Sequence, residues 1–254
     1  MATRSIAVAN QKGGVGKTTS TVSIAACAAE LGRRVLVVDL DPQASASRWL
    51  GASAEQGSVL EVLAGEAKAR EVLVPSSIER VDVIPASINL VSVERALGGQ
   101  PGAEMVLSRA LEDVASDYDL VLLDCPPTLG LLAVSALVAA GEVLVPVGIG
   151  SMELDGVADL LRSIQLVAER LRPGLAVTAV LPSGYDRRQK LSQDVLEALT
   201  KRFGADGVLP PVRSSVRMAE APSAREPITT YAPRSPVAQD YRLVTTALLE
   251  QGDR

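Results

Sequence analysis

The sequence predicts an α/β fold in which a doubly wound, mostly parallel sheet carries helices on both faces. Short apolar runs alternate with stretches of helical periodicity into the C-terminal third of the chain. Several runs are apolar at every position, which is typical of strands covered by helices on both sides. A glycine-rich loop joins the first run, residues 6–9, to the first helical stretch, residues 18–31. These observations predict one α/β domain over residues 1–254.

Composition narrows the function classes. The 254 residues are 47% hydrophobic, and a net charge of −5 argues against general attraction to nucleic acid, so DNA binding would need a local basic patch. There is no histidine, and Cys27 and Cys125 are too few and too far apart for a disulfide framework or a structural zinc site. Because neither a signal peptide nor an apolar run of about 20 residues is present, we expect a cytoplasmic protein without a membrane partner.

The loop at residues 10–19, NQKGGVGKTT, suits a bound polyphosphate. Its glycines let backbone N–H groups turn inward, and the helix that follows adds the positive end of its dipole. Lys17 would reach the β- and γ-phosphates, and Thr18 would bind Mg²⁺ through its hydroxyl. The alternative is a glycine-rich turn with solvated lysines. The nucleotide-binding residues predicted in this loop are Lys12, Gly13, Gly14, Val15, Gly16, Lys17, Thr18 and Thr19.

The loop departs from the ordinary phosphate-loop pattern, because Gln11 stands where the first glycine is expected and Lys12 is an additional cation. The sequence QKGGVGKTT resembles the deviant Walker A motif of the ParA/MinD ATPases, and the preceding Asn10 is more similar to the ParA/Soj branch. The resemblance implies ATP and Mg²⁺ as cofactors. It also implies an ATP-dependent homodimer in which Lys12 reaches the γ-phosphate bound by the partner subunit.

The second buried run, residues 35–38, ends in Asp39-Leu40-Asp41-Pro42-Gln43. Ligands collect beyond the carboxyl ends of strands in such sheets, which places these carboxylates near the phosphate loop. An aspartate before proline is also a common turn starter. The motif is similar to the family's second phosphate-site motif, and this resemblance implies that Asp41 positions the attacking water.

Residues 44–100 are irregular, with short helices expected at 45–50 and 58–63 and a strand at 81–85. We interpret them as elaborations of the same domain, since no long polar linker separates them. Trp49 is interpreted as local packing, with an exposed partner anchor as the alternative.

An amphipathic helix at residues 103–116 precedes the apolar run 120–123, which closes on Asp124. This is the Walker B pattern, in which a carboxylate at a strand end holds a water on Mg²⁺. With Pro126-Pro127 it resembles the family's Asp-x-Pro-Pro signature. The predicted catalytic residues are Lys12, Lys17 and Asp41, and the predicted metal-site residues are Thr18, Asp41 and Asp124.

The alternation continues through helices at 131–140, 153–171, 189–203 and 237–250 and strands at 142–146, 176–181 and 208–209. Family members often carry an aromatic residue where residues 150–152 stand, which weakens any role of that loop in dimer contacts. Residues 185–190 put three cations at a strand-to-helix junction, and residues 213–223 resemble the family's stretch near the adenine and the dimer face. Cations in loops are usually solvated. The resemblance instead aligns Arg188 and Arg217 with DNA-contacting arginines, and places Arg213 and Ser215 in the segment that contacts the base.

Together these features resemble a ParA-type ATPase of chromosome or plasmid partition. The resemblance implies MgATP-dependent dimerisation, nonspecific binding to double-stranded DNA on the nucleoid, a ParB-like adaptor, and release after hydrolysis. A ParA-like positioner of a protein cargo and a nucleotide-gated regulator of replication or division remain alternatives. The C-terminal residues lack the basic amphipathic tail that would bind anionic lipid.

Overall fold

The computed structural model describes residues 3–149 and 153–252; the predicted loop at 150–152 therefore lies outside the described residues. The strands are β1 (Arg4–Val8), β2 (Val35–Asp39), β3 (Val74–Pro75), β4 (Val81–Ile84), β5 (Leu120–Asp124), β6 (Glu142–Gly148), β7 (Ala176–Tyr185) and β8 (Val212–Arg213). The helices are α1 (Lys17–Glu30), α2 (Ser45–Trp49), α3 (Val59–Ala64), α4 (Leu90–Leu97), α5 (Val106–Ala115), α6 (Leu131–Ala139), α7 (Glu153–Arg170), α8 (Lys190–Phe203), α9 (Val216–Ala224), α10 (Ile228–Tyr231) and α11 (Pro236–Gly252).

The strands form one sheet in the order β3-β4-β2-β5-β1-β6-β7-β8. Neighbouring strands run parallel except for β3, which pairs antiparallel with β4 at one edge. Helices cover both faces, and each face has its own apolar cluster, with Ile6 of β1 in one and Ala7 in the other. The predicted doubly wound α/β fold is confirmed.

The register of the central strands assembles the site. Val8 of β1 and Asp39 of β2 each pair with Asp124 of β5. The C-terminal ends of these three parallel strands therefore lie side by side. Because β2 and β5 are buried at every position, these polar strand ends are fixed by apolar packing on both faces.

Several elements differ from the sequence-based expectation. The strand expected at 208–209 is reduced to a single bridge between Val180 and Val208, and β8 forms further along. Pro210 and Pro211 explain the shift, because proline has no N–H to donate to a ladder. The helix expected at 103–116 begins with a 3-10 turn over Ala103–Met105. The sequence reading missed α4 and α9, and Pro222 lies inside α9.

Trp49 is packed in the core at 4% exposure, and its indole N–H donates to the Glu226 carbonyl oxygen at 2.7 Å. The packing interpretation is therefore confirmed, and the exposed anchor is wrong. No helix in the described part of the chain combines the length and apolar character needed to cross a membrane.

Candidate nucleotide site

Glycines shape the loop between β1 and α1. Gly14 and Gly16 have φ angles of 76° and 93°, a left-handed conformation that glycine adopts without strain. A Cβ added at Gly13 or Gly14 would meet no other atom within 4 Å, so the space beside this part of the loop is open. Since α1 begins at Lys17, directly after the loop, its unpaired N–H groups and positive dipole end lie beside that space.

Asn10 fixes the start of the loop and is 4% exposed. Its side-chain amide donates to the Pro146 carbonyl oxygen at 2.7 Å, and its oxygen accepts from the Lys12 backbone N–H at 3.0 Å. The loop is thereby tied to the end of β6. The sequence reading used Asn10 only as a mark of family resemblance and missed this anchoring role.

The two lysines of the loop have different environments. Lys17 is 7% exposed, and its ammonium donates to the Lys12 carbonyl oxygen at 3.0 Å. Burial lowers the pKa of Lys17, while the nearby charges of Asp124 and Asp41 act in the opposite direction. The Lys12 side chain is exposed. Lys17 is therefore held within the loop beside two carboxylates, whereas Lys12 lies on its outer surface.

Asp124 joins the strand edge to α1. The Thr18 hydroxyl donates to one carboxylate oxygen at 2.7 Å, and the Thr21 hydroxyl donates to the other at 3.1 Å. Burial raises the pKa of Asp124 well above its usual range, and the neighbouring charge of Asp39 adds to the rise. The sequence reading missed Thr21, although its i+3 spacing from Thr18 places both hydroxyls on one face of α1.

Asp39, the last residue of β2, and Asp41, two residues later, have different environments. Asp39 is fully buried and accepts hydrogen bonds from the Ser47 N–H at 2.8 Å, the Ser47 hydroxyl at 2.7 Å and the Asp41 N–H at 3.1 Å. Asp41 is half-buried, and its carboxylate accepts from the Gln43 N–H at 2.9 Å. Asp39 therefore orders the loop, while Asp41 lies close enough for its charge to act on Lys17 and Asp124.

The donor set fits Mg²⁺ accompanied by phosphate. Hydroxyl and carboxylate oxygens are hard ligands, and Mg²⁺ usually takes one or two of them from protein and the rest from water and phosphates. Within residues 3–149 and 153–252, no group of three or more His, Cys, Asp or Glu side chains is arranged to hold a metal. The Thr18 hydroxyl and the Asp124 carboxylate would therefore hold the ion together with nucleotide oxygens, rather than in an all-protein cage.

The raised pKa of Asp124 predicts a pH dependence. Any proton that Asp124 holds in the free protein must leave before the carboxylate faces Mg²⁺, so Mg²⁺-dependent ATP affinity should rise with pH through the raised pKa of Asp124. The limit is about tenfold per pH unit for one released proton. We would measure ATP binding by calorimetry with Mg²⁺ for the parent and for Asp124→Asn, because the variant meets the same nucleotide titration but lacks the titrating carboxyl group. Equal pH dependence in the parent and the variant would contradict the assignment.

The predicted base-contacting residues Arg213 and Ser215 lie at and just beyond the C-terminal end of β8. The ends of β7 and β8 border an open cleft of about 760 Å³ lined by Gly184, Tyr185, Asp186, Arg187, Arg188, Gln189, Pro211, Arg213 and Ser214. A Cβ on Gly16 would lie 3.7 Å from the Ser183 hydroxyl oxygen, so this part of β7 lies beside the phosphate loop. Arg213 makes bonds of 2.6 and 2.7 Å to the Asp240 carboxylate. Ser215 directly precedes α9 and is half-buried.

The two predicted DNA-contacting arginines follow the ends of β7 and β8 in the chain and are exposed. The side chain of Arg188 is 84% exposed and pairs with Asp186, and that of Arg217 is 63% exposed and pairs with Glu220. The structure thus brings together Lys17, Thr18, Asp41 and Asp124 at the phosphate loop, and places the four arginine and serine candidates around the ends of β7 and β8.

Comparison with known proteins identifies the family. A family model described as an AAA domain matches residues 3–177. The chromosome-partitioning ATPase Soj of Thermus thermophilus is 45% identical over 239 residues, covering 94% of this chain and 92% of that protein. The chain belongs to the ParA/Soj family of P-loop ATPases. The sporulation initiation inhibitor protein Soj of Bacillus subtilis is 41% identical over 239 residues, covering 93% of this chain and 94% of that protein.

A solved structure with the same fold is similar to this chain over nearly its whole length. The structure of cobyrinic acid a,c-diamide synthase from Mycobacterium smegmatis with bound ATP analog and magnesium is 37% identical, with a TM-score of 0.86, and covers 99% of this chain and 96% of that chain. The predicted family and fold are confirmed.

Proposed function

We propose that this chain is a ParA-type partition ATPase: it binds MgATP, dimerises through the face that carries the phosphate loop, binds DNA without sequence preference and releases it after hydrolysis. The observation that carries the proposal is the convergence of Lys17, Thr18, Asp41 and Asp124 at one sheet edge, beside an open glycine loop. We further propose that residues 1–254 act as one domain, in the cytoplasm and on the nucleoid.

The chain's own groups have separate tasks in this reaction. Loop N–H groups and the Lys17 ammonium bind the phosphates, and Lys17 offsets charge that develops on the β–γ bridging oxygen. Thr18 and Asp124 would hold Mg²⁺, which would supply positive charge to the bound phosphates. The Asp41 carboxylate accepts a hydrogen bond from the attacking water and orients it. Asp39 and Ser47 keep the Asp41 loop in place.

Lys12 links nucleotide binding to dimerisation in this proposal. Two lysines in one phosphate loop repel each other unless a highly charged ligand lies between them. The buried Lys17 serves its own subunit's nucleotide, and the exposed Lys12 would serve the γ-phosphate of the partner subunit. A dimer closed in this way requires ATP in both sites, so hydrolysis would open it, and a ParB-like adaptor would accelerate that step.

The partition function is favoured over amide synthesis, the activity for which the Mycobacterium smegmatis relative is named. Amide synthesis needs a nitrogen donor in addition to ATP. A Cys–His centre that releases ammonia from glutamine is excluded within this sequence, because it contains no histidine. Cys27 and Cys125 are each 1% exposed, and burial raises the pKa of both thiols.

DNA affinity across a salt series tests the proposal. The net charge of −5 cannot attract a polyanion by itself, so binding should require the ATP dimer, which doubles the local arginine surface. The logarithm of affinity should fall with log salt by about 0.9 per phosphate contact. Arg188→Ala or Arg217→Ala removes two arginines per dimer and should flatten the slope by up to about two. Duplexes of unrelated sequence should bind alike.

We would measure dimerisation by light scattering and DNA affinity by fluorescence anisotropy on the same samples. If both arginine variants dimerise with ATP and keep the parent's affinity and salt slope, the DNA surface lies elsewhere on the chain.

A further inference from the structure

Arg188 is tied to a carboxylate two residues earlier in the chain. Its Nε donates to one oxygen of Asp186 at 3.1 Å and its Nη2 donates to the other at 3.0 Å, a bidentate pair. The Arg188 backbone N–H also donates to Asp186 at 3.0 Å, so the backbone itself sets the position of the carboxylate. These hydrogen bonds lower the pKa of Asp186 to about 2, and the carboxylate is charged throughout the physiological range.

Arg217 is engaged in a similar way on α9. Its Nη1 donates to Glu220 Oε2 at 3.0 Å, and the Tyr231 hydroxyl donates to the same oxygen at 3.1 Å. The i+3 spacing places both side chains on one face of the helix. A DNA phosphate that approaches either arginine therefore meets a cation whose charge is already balanced by a neighbouring carboxylate.

We infer that Asp186 and Glu220 set the strength of DNA binding by competing with phosphate for Arg188 and Arg217. The inference rests on the proposed DNA-binding function of these two arginines. In the bidentate pair, Asp186 occupies the Nε–Nη2 edge of the guanidinium, one of the two edges able to hold a phosphate. Its negative charge also lies next to any phosphate bound at the remaining edge.

Competition between the carboxylates and DNA phosphates for the two arginines would make the protein–DNA contact readily reversible. Exposed ion pairs are weak, so a phosphate can displace the carboxylate at little cost, but each arginine then binds more weakly than an unpaired cation would. Because a dimer presents each pair twice, the carboxylates lower DNA affinity through four sites together. A complex weakened in this way dissociates readily once the dimer opens.

Isosteric neutral variants test this inference. Asp186→Asn, Glu220→Gln and the double variant remove the competing charges while preserving side-chain size. Asp117→Asn is the matched control, because it removes the carboxylate of an exposed 2.8 Å pair with Arg70. Asp117 lies before the start of β5, whereas Asp186 follows the end of β7. Because these strands run parallel in one sheet, the two carboxylates lie near opposite strand ends. Affinity for a random duplex is measured by anisotropy at saturating MgATP across a salt series, on samples whose dimerisation and melting temperature are also recorded.

We expect each single variant to bind DNA about threefold to tenfold more tightly than the parent at 0.1 M salt, and the double variant more tightly still. Their salt slopes should steepen, because more phosphate charge is neutralised, whereas Asp117→Asn should change affinity less than about twofold. Single and double variants that match the Asp117→Asn control would overturn the inference. Weaker DNA binding would also overturn it, since the carboxylates would then be positioning the arginines. If no protein in the series binds DNA, parent included, the proposed function itself is wrong and the inference falls with it.

Discussion

Lys17→Ala is expected to weaken ATP binding by at least about 100-fold, because it removes a buried charge-assisted donor to the β- and γ-phosphates. The loss is larger than that of an exposed cation, since the ammonium lies in a site screened from water beside Asp124 and Asp41. Dimerisation and DNA binding should be lost with it. Equilibrium titration with ATP measures the effect directly.

The matched control is Lys201→Ala, which removes an exposed lysine from α8 and changes the net charge by the same amount. Its ATP affinity should equal that of the parent. Should Lys17→Ala also bind ATP within twofold of the parent, the loop would not be the nucleotide site.

Asp41→Ala is expected to separate hydrolysis from binding. The Asp41 carboxylate accepts a hydrogen bond from the Gln43 N–H of its own loop, and we expect its removal to leave MgATP affinity within a few-fold of the parent. Hydrolysis should fall by at least about 100-fold, because the attacking water loses the group that orients it. The ATP-bound dimer should then accumulate. Phosphate release and light scattering on the same sample measure the two effects.

Asp39→Ala provides the contrast. Asp39 accepts hydrogen bonds from the N–H and hydroxyl groups of Ser47, and its removal leaves these buried donors without an acceptor. We therefore expect a lower melting temperature for Asp39→Ala and a near-parental one for Asp41→Ala. An Asp41→Ala protein that hydrolyses ATP at the parent's rate, or stays monomeric when saturated with nucleotide, would contradict the role given to Asp41.

The sequence was sufficient to predict the centre of the fold. The runs at residues 35–38 and 120–123, which form most of β2 and β5, are apolar at every position, and this pattern is typical of strands buried on both faces. The edge strands β3 and β8 were harder to predict, because each is two residues long and shows little periodicity. The proline within α9 concealed that helix, since proline usually ends a helical stretch.

In the candidate site, too, some features could be predicted from the sequence and others depended on the fold. Glycines and lysines at fixed spacing revealed the phosphate loop, but the anchoring of Asn10 by Pro146 joins residues far apart in sequence and needed the fold. The contact of Thr21 with Asp124 likewise depends on how β5 lies against α1. The ion pairs of Arg188 and Arg217 are different, because their partners are two and three residues away in the chain. The i,i+3 pair of Arg217 and Glu220 follows from helical spacing once α9 is known. The pair of Arg188 and Asp186 lies in the loop before α8, where a two-residue spacing does not by itself predict a contact.

ATP-dependent dimerisation is tested by the molar mass of the protein in solution, measured by light scattering for the parent and for Lys12→Ala with MgATP, with ADP and without nucleotide. We expect the parent to double its mass only with MgATP. Lys12→Ala should bind ATP with an affinity close to the parent's yet remain a monomer, because the exposed lysine acts on the partner subunit's nucleotide. A parent that stays monomeric when saturated with MgATP would contradict the central claim, as would a Lys12→Ala protein that dimerises like the parent.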